Sequence, residues 1–160
     1  MGLGAIVYCD CYEKGRVRVP PPQPELVYVD ATGRRSLRWE VPGADQHRLY
    51  DWMKAACDHG PMGELVSHRL GNVALIGVLR ERLSRRPDAF PVILTKVVYD
   101  GTHCGDHLDL DQIGSLAAEI ESLRTIHCEE ESIEKLLRQL ERQMFELVDA
   151  AKRVGKPIAF

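Results

Sequence analysis

The residue pattern predicts an α+β fold in a single domain over residues 1–160: a mixed β-sheet with helices mainly on one face and a long C-terminal amphipathic helix. Three observations carry this expectation. The run Gly4–Tyr8 is apolar and β-prone, as a central strand requires. The run Val92–Tyr99 holds Val92, Ile93, Val97 and Val98 together with Thr95 and Tyr99, and predicts a second buried strand. Residues 129–154 place Ile133, Leu136, Leu137, Leu140, Met144, Leu147, Val148 and Ala151 at helical spacing.

The other elements follow from local signals. Pro20, Pro21, Pro22 and Pro24 make residues 20–24 a stiff, extended connector. The strands expected at Leu26–Val29 and Ser36–Glu40 flank the turn cluster Asp30-Ala-Thr-Gly33, a β-hairpin pattern that puts Leu37 and Trp39 on one face. Asp45 is placed to cap a helix running to about Cys57, with Leu49, Trp52, Met53 and Ala56 inward. Gly60, Pro61 and Gly63 break the chain before a short strand at Leu65–Leu70. Asn72 is a natural N-cap for a helix to about Arg85 that buries Leu75, Ile76, Leu79 and Leu83. Pro87 and Pro91 bracket a loop.

Asp109 with Gln112 three residues later reads as a capping box in which Asp replaces Ser or Thr. The helix it starts runs through Arg124 and turns Ile113, Leu116, Ala117, Ile120 and Leu123 inward. The final helix opens on Glu129, Glu130 and Glu131, which suit the positive end of its dipole, and is stopped by Gly155 and Pro157. Ile158–Phe160 is expected to return to the sheet as an edge strand. No internal repeat is present.

Composition narrows the function classes. Hydrophobic residues make up 44% and charged residues 28%, as in an ordinary globular chain. The net charge of −3 argues against a nucleic-acid partner; Arg80, Arg82, Arg85 and Arg86 form the best basic patch and also fit the solvated end of a helix. No apolar run reaches the roughly 18 residues that cross a bilayer, and no secretory leader opens the chain. A cytoplasmic location with no membrane partner is therefore expected. With five cysteines and no export signal, disulfides are not. No phosphate-binding glycine loop, H-E-x-x-H or G-x-S-x-G occurs. The long helix also makes a homodimer an open expectation, since a stripe wider than the sheet would need a second cover.

The candidate chemistry centres on Tyr99-Asp-Gly-Thr-His-Cys-Gly-Asp-His107, a loop that gathers His103, Cys104, Asp106 and His107. Three readings stand side by side. His103 and Asp106 suit zinc, with His59 or His68 completing a structural or hydrolytic site. Further ligands are available in close pairs at Cys9 and Cys11, Cys57 and His59, and His127 and Cys128, although none has C-x-x-C or H-x-x-x-H spacing. Alternatively, Cys104 near a helix N-terminus is a nucleophile, for which a histidine other than its neighbour His103 must act as base. In the plainest reading, Asp106 and Asp109 cap turns, His103 bonds backbone and Cys104 fills a gap. For Cys9 and Cys11, at alternate positions after a strand, the plain reading is that both face one side without a metal. Trp39, Tyr50 and Trp52 are candidate contact aromatics, Trp52 being the one that helical spacing assigns to the core.

The run Tyr99-x-Gly-Thr-His-x-Gly-Asp106, followed by a Leu-rich helix, resembles a segment of predicted immunity proteins of bacterial polymorphic-toxin systems. The wider chain, from Met1-Gly-Leu-Gly through His68-Arg-Leu-Gly-Asn72 to Gly155-Lys-Pro-Ile-Ala-Phe160, resembles uncharacterised bacterial proteins. The resemblance implies a non-enzymatic, immunity-like domain that binds a protein partner such as a toxin through Tyr99, Thr102, His103, Cys104 and Asp106. Such inhibitors are often strongly acidic, and this chain is only mildly so.

Overall fold

The computed structural model describes residues 2–160. The fold class is α+β, with a long C-terminal helix. Strands β1 (Gly2–Tyr8), β4 (Glu64–Asn72), β5 (His107–Leu108) and β6 (Ile158–Ala159) form one sheet in the order β4-β1-β6-β5. A separate two-stranded ribbon joins β2 (Val27–Val29) and β3 (Arg35–Leu37). All the strand pairings are antiparallel. The helices are α1 (Gly43–Ala55), α2 (Val73–Leu83), α3 (Leu110–Leu123) and α4 (Glu131–Val154).

Side-chain alternation in β1 explains the layering. Leu3, Ala5 and Val7 are fully buried beneath the helices, while Gly2 and Gly4 lie open on the other face. The core they join runs through Leu70, Ile76, Leu79, Leu83, Ile113, Leu116, Ile120, Leu137, Leu140, Met144 and Leu147. Helix α4 presents its stripe to α3 and to β1, β4 and β6. It ends where expected: Gly155 adopts φ 65°, a left-handed C-terminal cap that glycine tolerates best. The start lies two residues later than the sequence suggests, because the Glu134 carboxylate accepts the Cys128 N–H (2.9 Å) and keeps residues 128–130 outside the helix.

A second, smaller core holds the ribbon against α1. It contains Val27, Val41, Leu49, Trp52, Met53 and Ala56. Trp52 Nε1 donates to the Val19 carbonyl at 2.8 Å and so anchors the Pro-rich connector. Lys156 ties this unit to the end of α4, pairing with Glu13 and donating to the Gly33 carbonyl at 3.3 Å.

Several expectations are corrected. The Val92–Tyr99 segment is helical: a turn opens at Pro91 and Val92 and continues as the π-helix Ile93–Val97. The cause lies 26 residues further on. The Glu119 carboxylate, buried in α3, accepts the N–H groups of Val92 and Ile93 at 2.7 and 2.8 Å. Pro91 suits a helix start because it has no N–H to satisfy, and the Thr95 hydroxyl back-bonds to its carbonyl at 2.7 Å. This tertiary cap overrides the β propensity of the valines. Strand β6 is internal, paired with β1 on one side and β5 on the other. Asp45 lies in the first turn of α1 and does not cap it; Pro42 occupies the N-cap. Strand β3 stops at Leu37, leaving Trp39 89% exposed, and Leu75 lies on the outer side of α2.

Candidate metal centre

The exit of β1 turns back on itself. Lys14 N–H reaches the Asp10 carbonyl at 2.9 Å, Arg16 N–H reaches the Cys11 carbonyl at 2.7 Å, and Gly15 supplies φ 64°. The turn holds Cys9 and Cys11 inward, both buried. On the other side, α1 ends at Ala55 and the chain runs through Cys57 and His59 into the sharp turn at Gly60–Gly63. Cys9 N–H donates to the Gly63 carbonyl at 2.8 Å, and this bond locks the two segments together.

The result is a cluster of three thiols and an imidazole. The ligand atoms of Cys9, Cys11, Cys57 and His59 all lie within 4.8 Å of one another. Cys9 Sγ is 3.7 Å from Cys57 Sγ, and Cys11 Sγ is 3.5 Å from His59 Nδ1. A tetrahedral zinc ion with ordinary bond lengths separates two thiolates by about 3.8 Å and a thiolate from an imidazole nitrogen by about 3.6 Å. These two separations match those edges, and the others lie within 4.8 Å. The donor set, soft thiolates with one imidazole, is the one zinc prefers.

The electrostatics divide the paired thiols Cys9 and Cys57. Burial raises the Cys9 thiol and outweighs the opposing Cys11 N–H; side-chain hydrogen bonds with Cys57 and Cys11 add to the rise, which reaches about 12. Burial also acts to raise Cys57. In that case hydrogen bonds from the backbone and ring of His59, the bond to Cys9 and the Arg35 guanidinium outweigh it and bring the thiol down to about 7. The two thiols are therefore pushed in opposite directions, Cys9 towards the protonated form and Cys57 towards the thiolate. The cluster opens on a cleft rimmed by Asp10, Lys14, Arg16 and Arg153. Arg16 pairs with Asp10 across that rim.

The residues expected around His103 lie elsewhere. Of His59, His68, His103 and Asp106, only His59 belongs to a group of three or more metal-capable side chains among the described residues. His68, on β4, meets Glu146 of α4 at 2.7 Å. The His103 ring is packed inward with 4% of its side chain exposed. It stacks on Tyr99 with centroids 4.4 Å apart and lies 5.4 Å from the Phe160 ring. Asp106 accepts the Tyr99 hydroxyl, and this bond pushes Tyr99 up to about 12. The Asp100 carboxylate accepts the N–H groups of Thr102 and His103, both at 2.7 Å, and these bonds hold its carboxyl below the ordinary range. Gly105 N–H and Phe160 N–H complete a backbone clasp to the Phe160 and Asp106 carbonyls. The loop is thus fastened to the chain's last residue by its own hydrogen bonds, while Thr102, Cys104 and Asp106 remain exposed.

Arg35 and Glu119 are the two side chains of consequence that sequence reasoning did not single out. The one sequence signal for the cluster was the pairing of Cys-x-Cys at 9–11 with Cys-x-His at 57–59. No known protein family, no curated protein and no solved structure matches the chain.

Proposed function

We propose that this chain is a zinc-binding protein in which Cys9, Cys11, Cys57 and His59 hold one ion at a structural site. The observation that carries the reading is the convergence of four ligand atoms within 4.8 Å from two segments 48 residues apart. Four protein ligands fill a tetrahedral ion and leave no position for water, which favours a structural over a hydrolytic role. The ion would supply a cross-link between the exit of β1 and the end of α1. That is where one is needed: the smaller core has only six buried hydrophobic residues, too few to hold an independent unit firmly.

Titration of the metal-free protein with cobalt(II) tests this reading. The expected result is the visible spectrum of a tetrahedral cobalt thiolate saturating at one equivalent and lost in Cys11→Ser. An octahedral spectrum, or one unchanged by Cys11→Ser, would refute it.

A second reading, protein binding of the immunity kind, draws support from Trp39. An aromatic ring that is 89% exposed is the type of residue that anchors interfaces. Neutralisation of a toxic product of the adjacent gene, lost in Trp39→Ala, is the result expected; a harmless neighbour and no co-purifying partner would count against it.

A further inference from the structure

Arg35 is an unusual residue to find inside this fold. It is 3% exposed, and no carboxylate among the described residues pairs with it. Its Nη2 donates to the Met53 carbonyl at 3.1 Å and to Cys57 Sγ at 3.7 Å. Its Nε and Nη1 are buried without a hydrogen-bond partner. The guanidinium lies 5.7 Å from the centre of the Trp52 ring. Space for it is provided by Gly63, at φ 88°: a Cβ there would stand 2.7 Å from Nη2 and 3.1 Å from Cys9 Sγ.

A buried guanidinium with no anion beside it is costly, so such groups are normally paired. Among the described residues, the group beside it that can carry negative charge is the Cys57 thiol, with Cys9 across Gly63. Three thiolates and a neutral imidazole around a divalent ion leave one net negative charge, and one guanidinium cancels it. The cations on the rim do not serve: Lys14 is exposed, Arg16 and Arg153 are 60% and 62% exposed, and Arg16 is already paired with Asp10.

Resting on the zinc reading above, we infer that Arg35 is the counter-ion of the metal-thiolate site, a positioning residue that sets its affinity by charge and donates to the Cys57 ligand. The site then comprises four ligands and one fixed cation, and its charge balance suits a divalent ion.

Zinc affinity measured by competition with a chromophoric chelator tests this on wild type, Arg35→Lys and Arg35→Met, with far-UV circular dichroism of the zinc-saturated proteins as the control for folding. Loss of an outer-shell partner lowers metal affinity about 10- to 100-fold, the loss expected for Arg35→Met. Arg35→Lys, which keeps the charge, should lose less than about tenfold, below that outer-shell range. Equal affinity of Arg35→Met and wild type overturns the inference, and so does an Arg35→Lys loss as large as that of Arg35→Met, because packing rather than charge would then be the cause. A wild type that binds no zinc would instead sink the site itself.

Discussion

Cys11 Sγ and His59 Nδ1 stand 3.5 Å apart, although 48 residues separate them in the chain. Cys9 and Cys57 repeat the same span at 3.7 Å. The two pairs bring four potential ligand atoms within 4.8 Å of one another, the cluster proposed above to hold zinc. Removing the metal should therefore loosen the ribbon and α1 before the main core. With a chelator, amide exchange should quicken in residues 27–57, while β1 and α4 stay protected. Uniform quickening across the chain would contradict a local cross-link.

Gly63 is the position where backbone and site meet. Gly63→Ala meets both a positive φ and the close approach to Arg35 and Cys9. A loss of about 1–3 kcal/mol is expected from the strained backbone alone, accompanied by weaker zinc binding. Denaturant unfolding combined with zinc competition checks both; an unchanged zinc affinity would mean that the contact yields.

Glu119 should matter as much as a large core residue. Glu119→Ala strands two backbone donors, and at about 1–3 kcal/mol for each unsatisfied group the expected cost is several kcal/mol. Its carboxyl is raised above the ordinary range, by burial working against the two N–H bonds that lower it. The sign follows from the raised value: the contribution is fully present below the ordinary carboxylate value and falls as pH rises through the raised one. The stability gap between wild type and Glu119→Ala should therefore narrow from acid to neutral pH. Comparing the two proteins at each pH cancels the acid sensitivity that a bound metal would confer on both. A gap that widens towards neutral pH would contradict this.

Leu140, 1% exposed at the middle of α4, tests the main core. Leu140→Asp forfeits roughly 1.5–3 kcal/mol of side-chain burial and buries a charge besides. The variant should fail to fold at ambient temperature. A melting temperature equal to wild type would refute the assignment of this face.

Much of this fold was legible because its signals are local. Asn72 accepts the Leu75 N–H at 2.9 Å as its position implied, and Asp109 and Gln112 form the reciprocal capping box. The stripe of α4 and its Gly155 stop needed only spacing and one positive φ. The Val92–Tyr99 segment was misread because the carboxylate that caps it, Glu119, belongs to another helix. The cluster was half legible. Both of its pairs were visible as candidate ligands, yet nothing in Cys-x-Cys or Cys-x-His spacing says that the two meet, and the denser grouping near His103 drew the expectation to a different part of the fold. There a tyrosine stack and an Asp100 turn account for the same residues.

The most direct test is elemental analysis of the protein purified without a histidine tag or added metal. The account predicts close to one equivalent of zinc per chain, since structural sites of this kind bind tightly, and loss of that zinc in Cys9→Ser. Less than about one-tenth equivalent of any transition metal, in protein with all five thiols reduced, would contradict it.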